Sequence, residues 1–142
     1  MVHALAESCR VLKTGGRLVD LRPYSTGWPL EVVTRDTQIL AGPLDDTIGQ
    51  SVDIASDDAI LEALRRGWFQ EEKKTSFQYA YYWDTVDDMH EFLKANWEES
   101  ATVPDSVLSK AHRLVQRIDK PVQIRIRRTM SLASYRKLAE HK

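Results

Sequence analysis

The arginine and aromatic side chains are the residues of this sequence best suited to bind a ligand. In the last predicted strand, Arg128 falls on the apolar face, between Ile126 and Met130. Arg125 and Arg127 fall on the opposite face. A buried arginine needs a partner, so either a bulge turns Arg128 outward or its guanidinium binds a carboxylate or another anion. Residue frequencies favour the outward orientation.

Aromatic side chains alternate along the neighbouring predicted strand, where Phe77, Tyr79, Tyr81 and Trp83 share one face. Together with arginines they would line a pocket for a small, partly apolar anion. The alternative, which the sequence favours, is core packing with cation–π contacts. The candidate ligand-binding residues are Arg22, Trp28, Tyr79, Tyr81, Trp83 and Arg128.

Catalytic and metal chemistry find no support in the sequence. The four histidines include no H-x-x-x-H pair, and one cysteine cannot supply a zinc cluster. There is no G-x-S-x-G motif, and Cys9 lies on the apolar stripe of a predicted helix, which indicates a core residue rather than a nucleophile. We therefore predict no catalytic residue and no metal ligand.

Hydrophobic periodicity and turn residues predict the elements that position these side chains. Residues 44–55 are predicted to form a loop. The next helix is expected to begin at Ser56-Asp57-Asp58 and to bury Ile60, Leu61 and Leu64. The final strand is expected to place Val122, Ile124, Ile126, Met130 and Leu132 on one face. The predicted order is helix 2–13, strand 17–22 ended by Pro23, hairpin 30–34 and 37–41 with a tight turn at Arg35-Asp36, helix 56–66, strand 69–83, a helix opened by the capping-box-like Thr85-Val86-Asp87-Asp88, a helix starting at Pro104-Asp105, and strand 122–134.

This pattern predicts an α+β fold, with a mixed, largely antiparallel sheet and helices packed on it, as a single domain over residues 1–142. Residues 10–16, Arg-Val-Leu-Lys-Thr-Gly-Gly, lead directly into a strand. This stretch resembles the R-V-L-K-P-G-G pattern before the fifth strand of class I S-adenosylmethionine-dependent methyltransferases, with Thr14 in place of proline. The resemblance is strong over residues 4–21. It implies the C-terminal part of a Rossmann-like methyltransferase, closing with a helix, a strand and a final strand antiparallel to its neighbours.

The same resemblance bears on the cofactor. In the family, S-adenosylmethionine lies against a glycine-rich turn after the first strand and an acidic residue at the end of the second. Both elements would precede residue 1, and the sequence contains no G-x-G. We therefore expect no cofactor unless a complementary half is supplied. The expected function is a non-catalytic methyltransferase-like module acting by self-association, partner binding or small-ligand binding. The alternative is a methyltransferase subunit or fragment whose cofactor-binding half is elsewhere.

Charge and composition limit the partners. Twenty Lys and Arg against 21 Asp and Glu give no overall field for nucleic acid, and no RNP-like G-F-x-F pattern occurs. No apolar stretch is long enough to cross a bilayer, and the single cysteine fits a reducing compartment, so we expect a cytoplasmic protein without nucleic-acid or membrane partners. Strand 17–22 would leave an exposed edge, which predicts a homodimer or a complementary protein chain, with hairpin 30–41 as a competing cover.

Overall fold

The structure, a computed structural model, describes residues 1–139. Over these residues the chain forms α1 (Val2–Val11), β1 (Arg17–Tyr24), β2 (Pro29–Val33), β3 (Gln38–Pro43), α2 (Thr47–Arg65), β4 (Phe69–Trp83), α3 (Val86–Asn96), α4 (Asp105–Arg117) and β5 (Gln123–Lys137). The strands form an antiparallel sheet in which β1, β2 and β4 pair with β5, and β3 pairs with β2. The predicted α+β class and the predicted order of elements are confirmed.

The residues group into two compact units. Unit 1 contains Met1–Pro23, Ser51–Phe77 and the residues from Met130 onward, and unit 2 contains Tyr24–Gln50 and Gln78–Thr129. Each unit has a hydrophobic cluster of its own. That the chain behaves as a single domain stays a prediction.

The glycine turn between α1 and β1 organises unit 1. Gly15 has a φ of 79°, a left-handed conformation that glycine adopts without strain. The turn is joined to the end of β5, because the Gly15 N–H donates to the Lys137 carbonyl at 3.0 Å and the Lys137 N–H donates to the Gly16 carbonyl at 2.8 Å. The Lys137 Nζ donates to the Leu12 carbonyl at 2.9 Å and so places a cation at the negative end of α1.

β1 is longer than the sequence predicts and is exposed on one side. It continues through Pro23 to Tyr24, whereas Pro23 was expected to end it. Proline lacks an N–H but is tolerated on an edge strand, and β5 is the only strand partner of β1 within the part of the chain that is described. Leu18 packs on the core of unit 1, while Val19 and Leu21 are exposed.

Unit 2 is built on the β2–β3 hairpin. The two strands pair antiparallel with Val33 opposite Gln38, and the Thr34 N–H donates to the Thr37 carbonyl at 2.8 Å, which confirms the predicted turn. β2 also pairs with β5, with Leu30 opposite Ile126. The core between this sheet and the two helices α3 and α4 is formed by Trp28, Leu30, Val32, Met89, Leu93, Trp97, Val107, Ala111, Ile124 and Ile126, among others.

The start of α2 is a correction to the sequence prediction. The helix begins at Thr47, inside the segment predicted as a loop, and the Asp45 Oδ1 accepts the Thr47 N–H at 3.1 Å. Ser56 lies within the helix, where its hydroxyl donates to the Val52 carbonyl at 2.7 Å. The prediction that Leu61 is buried was also wrong, because Ala59 and Ala63 take the buried positions. The first turns of α2 expose their apolar side chains, so periodicity gave no signal there.

The alternation of buried side chains along β5 changes within the strand. The buried residues are Ile124, Ile126 and Arg128 in unit 2, and then Ser131, Ala133, Tyr135 and Lys137 in unit 1. Thr129 and Met130 are both half-buried between these two series. The prediction assumed that buried side chains recur at every second residue along the whole strand. This period breaks after Arg128, so Leu132 is not in the buried series that contains Ile126.

The N-terminus of α3 offers a direct test of local sequence signals. The Thr85 Oγ1 accepts the Asp88 N–H at 3.0 Å and donates to the Asp88 carboxylate at 2.7 Å, which confirms the predicted capping arrangement. Thr85→Ala removes the acceptor and should lower the free energy of unfolding by about 1 kcal/mol in urea denaturation. Thr85→Ser keeps the hydroxyl and should retain most of that stability. Equal losses in both variants would show that the cap is not the cause.

Candidate functional site

Arg128 occupies a corner formed by two tryptophan rings in unit 2. Its side chain points inward, and the residue is only 9% exposed. The Cζ atom lies 4.1 Å from the ring centroid of Trp28, 4.4 Å from that of Trp97 and 6.0 Å from that of Tyr81. The two indole rings meet at an interplanar angle of 72°. The outward orientation of Arg128 that the sequence favoured was therefore wrong, and we call these four residues the Arg128 site.

Backbone pairing and helix ends position the walls of the Arg128 site. Trp28 directly precedes β2, and its Nε1 donates to the Tyr24 carbonyl at 2.6 Å. Trp97 ends α3, with its N–H donating to the Leu93 carbonyl at 2.8 Å. Arg128 follows the buried isoleucines of β5, whose register β2 fixes. Each wall is thus anchored by its own hydrogen bond, so the corner is formed by the fold and not by Arg128 alone.

The positive charge of Arg128 has no anionic partner among residues 1–139. No described carboxylate forms an ion pair with it, and its Nε is buried without a hydrogen-bond partner. Burial lowers the pKa of Arg128, and Tyr81 opposes that shift. Arginine still remains charged, because its ordinary pKa lies far above neutral pH. The π faces of the rings are the main compensation, at about 0.5 to 2 kcal/mol for each cation–π contact.

The positive charges of the other two arginines of this strand, Arg125 and Arg127, are paired with a carboxylate. The Arg125 Nε donates to the Glu31 Oε2 at 2.7 Å, and the Arg127 Nη2 donates to the Glu31 Oε1 at 2.7 Å. The Glu31 carboxylate is buried and so is satisfied by two guanidinium groups. Of the three arginines, Arg128 is the one whose charge rests on aromatic faces.

Tyr81, a member of the Arg128 site, also contacts other residues of the predicted aromatic row. Tyr81 contacts Tyr79 with ring centroids 5.0 Å apart, stacks with Trp83 at 6.1 Å, and meets Trp97 edge-on at 4.8 Å. The structure thus brings together Trp28, Tyr79, Tyr81, Trp83 and Arg128 of the predicted site residues. Sequence reasoning missed the contact of Trp97 with Arg128, because nothing local in the sequence reports a contact between these two segments.

Arg22 belongs to a different group of side chains. It lies in unit 1, where its Nε donates to the Asp20 carboxylate at 2.9 Å and its Nη2 donates to the Asp57 carboxylate at 2.8 Å. Arg22 is therefore paired with two carboxylates of its own unit, and the structure does not assign it to the Arg128 site.

No metal site is formed by the described residues, since no group of three or more His, Cys, Asp or Glu side chains is placed to hold an ion. Within residues 1–139, none of the helices is long and apolar enough to cross a membrane. Comparisons with protein-family models, with curated proteins and with solved structures found no match. The residues of the chain itself therefore carry the functional argument.

The pH dependence of unfolding tests the surroundings of Tyr135 in unit 1. The side chain is buried, and burial, followed by the nearby carboxylates of Glu71 and Asp20, raises its pKa. A raised folded-state pKa stabilises the fold below the unfolded tyrosine pKa of about 10, and that stability is lost as the pH rises further. Tyr135→Phe should therefore show a smaller decline in unfolding free energy between about pH 9.5 and 11.

The same comparison below about pH 9 supplies the control, because a tyrosine is then protonated in both the folded and the unfolded chain. In that range the unfolding free energies of Tyr135→Phe and the parent should change in parallel. If Tyr135→Phe declines as steeply as the parent, the phenol of Tyr135 does not contribute to the alkaline loss of stability.

Proposed function

We propose that this chain is a non-catalytic, methyltransferase-like module that acts by associating with another protein chain, with a second copy of itself as the first partner to test. The observation that carries this proposal is the state of β1, which has one strand partner within residues 1–139 and exposes Val19 and Leu21. A cytoplasmic location belongs to the same proposal and is supported by the single cysteine.

Two features support the methyltransferase-like part. The first is the similarity of residues 10–16 to the family pattern, at the glycine turn where α1 leads into β1. The second is the antiparallel final strand, because β5, the last strand described, is antiparallel to its neighbours, as the resemblance implies. In unit 1, Lys137 is bonded to the glycine turn before β1, and the Leu138 N–H donates to the Trp68 carbonyl before β4 at 3.1 Å.

The proposal of a non-catalytic role rests on the side chains present. The sequence contains no G-x-G turn for a nucleotide-like cofactor. Asp20 lies within β1 and is paired with Arg22, so it is not available as the ribose-binding acid of the family. No residue of this chain is therefore assigned to cofactor binding or to methyl transfer.

The association part follows from the edge of β1. Unpaired N–H and C=O groups on an edge strand are a template for another strand, and exposed apolar side chains favour covering that edge. The hairpin predicted as a competing cover is engaged elsewhere, since β2 pairs with β3 and β5. A second copy would satisfy the edge through a self-complementary two-fold interface, and a different chain with a free strand would be the alternative.

A matched pair of leucines tests the homodimer. Sedimentation at micromolar concentration should show a dimer, and Leu21→Lys should weaken it because it places a charge beside the β1 edge. Leu61→Lys introduces the same change on α2 and should leave the dimer intact. Leu61 is 62% exposed and Leu21 is 54% exposed, so the two substitutions are comparable. A single 16.3 kDa species for the parent chain would contradict the homodimer.

The alternative function is a methyltransferase subunit whose cofactor-binding half is a separate chain, and it is favoured by the same match at residues 10–16. Titration calorimetry with S-adenosylmethionine tests whether this chain binds the cofactor on its own. We expect no heat of binding for the 142-residue chain, because it lacks the glycine-rich turn and the free acid that would hold the cofactor. A stoichiometric complex at micromolar concentration would contradict this expectation and would require a cofactor site unlike that of the family.

A further inference from the structure

We propose that the Arg128 site binds a small organic monocarboxylate with an apolar body. This inference is independent of the association proposed for β1, since the residues that carry it all lie in unit 2. It would add a ligand-binding activity to the chain.

The guanidinium of Arg128 is a buried charge without a carboxylate counterion among the described residues. A buried ionised group is costly unless it is paired, and Arg128 is paired with no carboxylate within residues 1–139. The contrast with Arg125 and Arg127 on the same strand is direct, because both bind the Glu31 carboxylate. An incoming carboxylate would supply at Arg128 the partner that Glu31 supplies to its neighbours.

The geometry limits how such a ligand would meet the guanidinium. The Nε atom is sealed from solvent, so the ligand would bond to the Nη atoms. The residue keeps 9% of its surface exposed, so a ligand would reach it only through a small opening. Tyr81, which already interacts with Arg128, has a phenol that would act as a further hydrogen-bond donor.

The surroundings favour one negative charge and an apolar body. A single guanidinium with indole walls matches a monoanion better than a strongly hydrated dianion, which would lose more solvation than one cation restores. Tyr79 contacts Tyr81 and is 52% exposed, so it offers an aromatic surface beside Tyr81. A ring or alkyl group attached to the carboxylate would pack on this surface.

Benzoate, acetate and sulfate at about millimolar to ten-millimolar concentrations are suitable probes, with chloride at matched ionic strength as the background. Thermal unfolding of the parent chain should shift upward most with benzoate, less with acetate, and with sulfate no more than the general salt effect. Calorimetry should give one benzoate per chain. No shift beyond chloride with either carboxylate would overturn the proposal.

Arg128→Met separates ligand binding from a structural role of the arginine. Without added anion this variant should be at least as stable as the parent, because replacing an uncompensated buried charge by an apolar side chain is often neutral or stabilising. It should lose the benzoate-dependent shift. Arg113→Met removes the same charge from the exposed side of α4 and should keep the shift. If Arg128→Met retains the benzoate shift, Arg128 is not the binding group.

A second matched pair tests the apolar contact. Tyr79→Ala should weaken benzoate binding several-fold and leave acetate binding nearly unchanged. Tyr82→Ala is the control, since Tyr82 is 51% exposed but its side chain lies on the opposite face of β4 from Tyr79. Equal effects of the two substitutions on benzoate would contradict the packing of the ligand on Tyr79.

Discussion

Backbone pairing along β5 is the constraint on which the rest of the structure depends. This strand is the partner of β1, β2 and β4, and its residues take part in the hydrophobic clusters of both units. In unit 1 its last residues are bonded to the glycine turn and to the end of α1. In unit 2 its first residues set the register of β2 and hence the position of the hairpin. A change that shifts the register of β5 would therefore disturb each of these elements.

The three arginines of β5 show two ways of holding a positive charge in a sheet. Arg125 and Arg127 share the buried carboxylate of Glu31, which accepts from both guanidinium groups. Arg128 has no carboxylate partner among residues 1–139 and lies against aromatic faces, which stabilise a cation less than a carboxylate does. The difference follows from the alternation of the strand, which places neighbouring arginines in different surroundings. It is the basis for expecting an anion at one of the three and not at the others.

Local signals in the sequence predicted much of the fold. The glycine turn, the bounds of β4, the β2–β3 hairpin and the cap at Thr85 depend on residues close in sequence, and the structure has them as expected. The early start of α2 was missed because its first turns bury little apolar surface. The inward orientation of Arg128 and its contact with Trp97 were missed for another reason. Both depend on aromatic walls from distant parts of the chain, which no local pattern encodes.

The distribution of the four tryptophans has a spectroscopic consequence. Trp28, Trp83 and Trp97 lie in unit 2, whereas Trp68 alone lies in unit 1. Intrinsic fluorescence therefore reports mainly on unit 2, while far-ultraviolet circular dichroism weights the helices and strands of both. The two signals will trace the same denaturation curve if the units unfold as one cooperative body, and separate curves if they do not. Tryptophan fluorescence of this chain therefore reports mainly on the surroundings of Arg128.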